Sequence, residues 1–75
     1  MKDVVKIEHY QQTGIYGIDP KKDLKIHTYH MSIVDYTMFI NEFISVYGYR
    51  LESTDDGDLI LDKVNDVYYY VIKEM

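Results

Sequence analysis

Only one stretch of this chain, residues 32–48, spaces its apolar side chains for a helix; the segments on either side alternate with a period of two. One helix can bury only one face of a sheet, so a chain of this pattern must cover the second face by other means. The helix reading rests on local signals. Ser32 is a good N-cap, Asp35 follows three positions later, and Met31 is placed to staple onto Tyr36. Gly48 supplies the left-handed residue that closes a helix. At about 100° per residue, Ile33, Tyr36, Ile40, Phe43, Ile44 and Tyr47 share one arc, with Thr37, Asn41, Glu42 and Ser45 opposite. Val34 and Met38 interrupt the polar side one turn apart. Either a loop covers them or they form a small apolar contact patch.

Around the helix, residues 3–10 read as a strand, and residues 15–18, bracketed by Gly14 and Gly17, as a second, weaker one. Residues 19–23 carry Pro20 between acids and predict a turn, after which residues 24–30 alternate again. Beyond the helix, Tyr49 and Leu51 alternate with Arg50 and Glu52. Residues 54–58 then make a hairpin turn in which Gly57 takes positive φ. Leu59 and Leu61 flank Ile60, residues 63–66 turn the chain, and residues 67–73 form the last strand. The expected fold is α+β in one domain spanning 1–75. A β-ribbon (1–30), a helix (32–47) and a three-strand meander (49–73) build one antiparallel sheet with the helix on one face. A chain of 75 residues has room for no more.

Composition narrows the function classes. Without cysteine there are no disulfides, thiolate metal sites or thiol nucleophiles. A net charge of −5 argues against direct nucleic-acid binding, which needs clustered Lys and Arg. No secretory or lipidation signal and no membrane-length apolar run is visible, so a cytoplasmic protein is expected. Phe, Tyr, Met, Ile, Asn and Lys total 33 residues against six of Gly, Ala, Arg and Pro, a bias toward AT-rich codons typical of low-GC bacteria and their phages.

Sites for chemistry are sparse. Three histidines, His9, His27 and His30, raise a metal site, but zinc needs three or four ligands converging at about 2 Å. Residues 27 and 30 of a strand point to opposite faces. Those histidines are also the only side chains suited to titrate near neutrality, and no nucleophile is set beside them, so an enzyme is the least favoured reading. The acids of residues 55–66 miss the register of a calcium loop, whose flanks must be helices. Gly14-Ile15-Tyr16-Gly17 matches the GXXG loop of KH domains in letters alone, between extended flanks and without a basic setting. No cofactor or metal is called for.

The nine tyrosines carry more information. The run Val67-Tyr68-Tyr69-Tyr70-Val71-Ile72 has no charge on either strand face. If Val67, Tyr69 and Val71 face the helix, then Tyr68, Tyr70 and Ile72 face away from it, ringed by Ile60, Arg50, Glu52, Asp58 and Asp62. Such a face needs cover, either from the N-terminal ribbon as ordinary core or from a partner. Charge is uneven too. Residues 1–30 hold five lysines against four acids, a net +1, and residues 31–75 hold three basic groups against nine acids, a net −6. Aromatic rings in an acidic field suit a basic protein surface.

The sequence therefore leads us to expect a small acidic, non-enzymatic binding protein. The profile fits a phage-encoded inhibitor, anti-defence in character, that occludes the basic surface of a nucleic-acid-handling protein. Asp55, Asp56, Asp58, Asp62, Asp66 and Glu52 would meet Lys or Arg, with Tyr68, Tyr70 and Ile60 packing centrally. The alternative is a homodimer or larger homo-oligomer, a structural domain that self-associates through the tyrosine face.

Overall fold

The computed structural model describes residues 4–15 and 17–74. Strands β1 (Val4–Gln11) and β2 (Leu24–Ser32) lead into helix α1 (Ile33–Ser45), and β3 (Arg50–Ser53), β4 (Leu59–Asp62) and β5 (Tyr68–Glu74) follow. The strands form one antiparallel sheet in the order β2-β1-β5-β4-β3, with α1 on one face. Ribbon and meander are thus fused. The last strand lies against the first, with Ile7 opposite Ile72 and His9 opposite Tyr70. No helix among the described residues is long and apolar enough to cross a membrane.

The helix starts from the expected N-cap and the chain turns at Gly48 as expected, although the helix itself stops at Ser45 rather than at residue 47. Asp35 donates its backbone N–H to Ser32 Oγ at 3.1 Å, and Gly48 takes φ +74° while Tyr49 N–H returns to the Phe43 carbonyl. Its buried stripe is narrower than the arc predicted. Tyr36, Phe39, Ile40 and Phe43 pack on Val5, Ile7, Leu61 and Ile72, whereas Ile33, Ile44 and Tyr47 each stay more than two-fifths exposed. Phe39, left out of the predicted arc, stacks on Phe43 with ring centroids 4.3 Å apart. Val34 and Met38 are about two-thirds exposed, so the expected covering loop is not over them.

One expectation for the N-terminal part changes. The strand expected at 15–18 is not formed by the described residues there; Tyr16 and Asp3 lie outside those described. The described residues of the 12–23 connection from β1 to β2, 12–15 and 17–23, are irregular instead, with Gly17 at φ +112°, a conformation that breaks a strand. Ile18 on this connection packs against Tyr10, Tyr69 and Val71 on the helix-free face.

The register of β5 is the larger correction. Leu61 pairs with Tyr70, Leu59 with Ile72, and Ile60 with Val71. Directly paired residues share a face, so Tyr70 and Ile72 lie under the helix with Leu59 and Leu61, and Tyr69 and Val71 lie on the other side. A shift of one residue inverts every side chain of a strand, and the expected placement of Tyr70 and Ile72 away from the helix was one residue out. From Tyr69 to Ile72 the uncharged run is buried because β5 is the central strand, whereas Val67 and Tyr68 stay 48% and 42% exposed. The strand has β1 and β4 as neighbours, α1 over one face and the 12–23 connection over the other, leaving Tyr69, Val71 and Ile72 each no more than 3% exposed.

Candidate functional site

Among the described residues, the 12–23 connection covers one end of the helix-free face. The 12–23 connection is tied down there by Asp23, whose carboxylate accepts hydrogen bonds from Asp19 N–H (2.8 Å), Thr13 N–H (3.0 Å), the Thr13 hydroxyl and the Tyr69 hydroxyl. Burial alone would push the Asp23 carboxyl up, but these donors outweigh it and hold it below the usual range. Tyr69 responds in the opposite sense, its phenol pushed far up by burial and by its bond to Asp23. It stays a neutral donor.

Between this connection and the β3–β4 turn lies a groove of about 370 Å³. Tyr10, Ile60 and Val71 form its floor. Asp19, Pro20 and Lys21 make one wall, and Thr54, Asp55, Asp56 and Asp58 the other, with Glu8 and Lys73 at the base. The second wall is set by Thr54, which receives the Asp58 N–H on its hydroxyl (3.1 Å) and donates its backbone N–H to the Asp58 carbonyl (2.8 Å). Gly57, at φ +86°, closes this turn as its position predicts.

Five carboxylates and two ammonium groups line the groove. Glu8 is the buried one, 4% exposed, with Lys25 at 3.1 Å, Lys73 at 3.5 Å and the Tyr10 hydroxyl at 3.3 Å. Desolvation raises its carboxyl, but the Lys25 hydrogen bond and the charges of Lys73, Lys25 and Lys6 prevail, so it stays ionised well into acid. Lys73 also approaches Asp58 at 4.0 Å, so a cation already sits over the groove base between two acids. Asp19, Asp55 and Asp56 make no ion pair among the described residues. An aromatic and aliphatic floor under acids whose charge is not balanced can take the stem and head of a Lys or Arg side chain.

The residues singled out in the sequence divide accordingly. Asp55, Asp56, Asp58 and Ile60 meet in the groove. Glu52 and Asp62 share the same face nearer the β3 edge, where both pair with Arg50, at 3.2 and 3.3 Å. Asp66 does not join them. It lies in the β4–β5 turn at the other end of β4, accepts the Tyr68 N–H, and lines a separate hollow with Glu42, Phe43, Tyr47, Tyr49, Lys63 and Tyr70. Tyr68 and Tyr70 are both on the helix side, where Tyr70 meets Phe39 and Phe43 edge to face. Neither ring belongs to the acidic face; the tyrosines that do are Tyr10 and Tyr69.

The groove residues not expected from the sequence were Glu8, Tyr10, Asp19, Pro20, Lys21, Thr54, Val71 and Lys73. A signal for Val71 and Lys73 was present. Lys73 must point to solvent, and with a period of two it assigns Val71 and Tyr69 to the helix-free face.

His9 and His27 face each other across β1 and β2 on the helix side, and His30 lies on the opposite face beside Lys6. The His9 ring stacks on Tyr70 at 4.5 Å, and burial, with His27 adding to it, pushes its pKa down. Among the described residues no three His, Asp or Glu converge as metal ligands. No protein-family model, curated protein or solved structure matches this chain.

Proposed function

We propose that the protein is a non-enzymatic binding module whose helix-free sheet face receives a basic segment of another protein. The observation that carries this reading is the groove itself: an apolar floor of Tyr10, Ile60 and Val71 beneath Asp19, Asp55 and Asp56, which have no counter-ion among the described residues. A lysine or arginine entering there would lay its aliphatic stem on the floor and its charge between the two walls. The net charge of −5 would speed encounter with a basic surface, and the groove would supply the desolvated contact. A basic surface that otherwise holds nucleic acid is the partner such a module blocks, and this gives the inhibitor reading its mechanism. Self-association through a tyrosine face has less to rest on, since Tyr69 is 1% exposed and Tyr70 packs under the helix, which leaves Tyr68, 42% exposed, as the one open ring of the β5 run.

Calorimetric titration with a short Lys- and Arg-rich peptide tests the reading. Binding should weaken tenfold or more when Asp55, Asp56 and Asp58 become Asn together. It should survive Asp35→Asn, Glu42→Gln and Asp66→Asn, which remove the same charge from other parts of the molecule. Equal loss in the two triple variants would reduce the effect to net charge and sink the groove.

A further inference from the structure

The two edges of the sheet are built differently. β3 has four residues and carries Arg50 and Glu52, the short and charged form that discourages pairing with another chain. β2 has nine residues, is the longest strand, and contains no proline. Its one formal charge, Lys25, is engaged by Glu8. Leu24, Ile26 and Tyr29 on it are 56%, 45% and 40% exposed. On its outer side no strand pairs with it among the described residues. The chain from Leu24 to Val34 is also the longest run without an acid in a protein of charge −5. Two copies repel least along this edge.

We infer that this edge joins a second copy of the chain, β2 against β2 in antiparallel pairing, to give one continuous ten-strand sheet. Such a pair has a two-fold axis perpendicular to the sheet, and paired residues must share a face. A bulge at Ile26, where Tyr10 pairs with Lys25 but His9 with His27, leaves residues 27–32 as the regular part of the strand. Any axis through a residue satisfies the parity rule, and three such axes, at Thr28, Tyr29 and His30, lie near the middle of the strand. An axis at Thr28 runs the pairing across the bulge, and an axis at His30 sets two histidines directly opposite. An axis at Tyr29 keeps residues 27–31 in regular pairing, meeting the bulge only at the Ile26–Ser32 pair, and opposes no two histidines. It sets Tyr29 against Tyr29 of the second copy, His27 against Met31, and Thr28 against His30, with no two formal charges opposed. Both helices then lie on one face and both acidic grooves on the other. The groove floors, centred over β5, stand about five strand spacings or ~24 Å apart. That exceeds the Debye length of about 8 Å at physiological salt, so the acidic faces do not oppose the pairing.

Sedimentation equilibrium on the full chain over a wide concentration range tests this. The expected species has twice the 9.0 kDa chain mass. Thr28→Lys with His30→Lys opposes like charges twice in the proposed register and should raise the dimer Kd about tenfold or more. Thr28→Lys with His30→Glu opposes unlike charges twice and should keep the dimer. Within one copy, Thr28 pairs with Glu8 and His30 with Lys6, so the second variant also suits the monomer fold, which circular dichroism checks in both. A monomer at every concentration, or two variants that behave alike, overturns the proposal.

Discussion

The bond from Tyr69 to Asp23 holds the connection that makes one wall of the groove, and its removal has a calculable consequence. Tyr69→Phe deletes a hydroxyl from a side chain 1% exposed and leaves the ring in place, so the packing against Tyr10 at 5.4 Å survives. A hydrogen bond to a charged group contributes about 1.5–3 kcal/mol. Asp23 keeps Asp19 N–H and both Thr13 donors, so the loss should fall at the lower end, about 1.5 kcal/mol. In urea, with an m-value of about 1 kcal/mol/M for so small a chain, the midpoint moves down by about 1.5 M. A cycle with Asp23→Asn isolates the pair and should give a coupling of about 1 kcal/mol at neutral pH. The pH dependence follows from the depressed Asp23 pKa. Its stabilisation is complete above the unfolded value of about 3.9 and is lost as pH falls through that value and then the lower folded one. The coupling should therefore fade in strong acid. A coupling under about 0.3 kcal/mol at neutral pH, within the usual error of additivity, would refute the tie. So would a coupling unchanged in acid.

Leu61→Ala empties a fully buried position between Leu51 and Tyr70 and should cost about 3 kcal/mol, read as a fall in Tm of about 12 °C or more. Glu8→Gln should cost about 1.5–3 kcal/mol at neutral pH, because Lys25 and Lys73 lose their shared carboxylate. That deficit should shrink as pH falls through the unfolded Glu value near 4.3 and the lower folded one, since the wild type then loses the same charge; a deficit constant with pH in urea titrations would contradict the assignment. Changing Asp55 and Asp56 to Asn should alter stability by less than about 0.5 kcal/mol in chemical denaturation, since neither side chain forms an ion pair among the described residues.

The parts of the fold legible in the sequence were those marked by chemistry of their own. Ser32, Asp35 and Gly48 bracket the helix by capping, and Gly57 marks a turn that requires positive φ, so both could be placed without knowing their neighbours. Leu59 and Leu61 alternate with Ile60 and Asp62, which assigns β4 its faces. β5 offered no such contrast over Tyr69 to Ile72, because a central strand covered on both sides carries apolar groups on both. Its parity then rested on Lys73 alone. The same blind spot hid half of the groove. Asp55, Asp56 and Asp58 are close in sequence, but Glu8, Asp19 and Lys73 reach them only because β1 lies beside β5 and the 12–23 connection folds back across the sheet. Asp66, near those acids in sequence, falls at the far end of β4 because four strand residues separate the two turns.

Amide chemical-shift mapping by NMR during titration with a Lys- and Arg-rich peptide tests the groove most directly. Shifts should concentrate at Tyr10, Asp19, Asp55, Asp56, Asp58 and Val71 and collapse as salt is raised, while Val34, Met38 and Asp66 stay still. Shifts centred on the exposed side of α1 or on the Asp66 hollow, or binding indifferent to salt, would contradict the groove as the binding site.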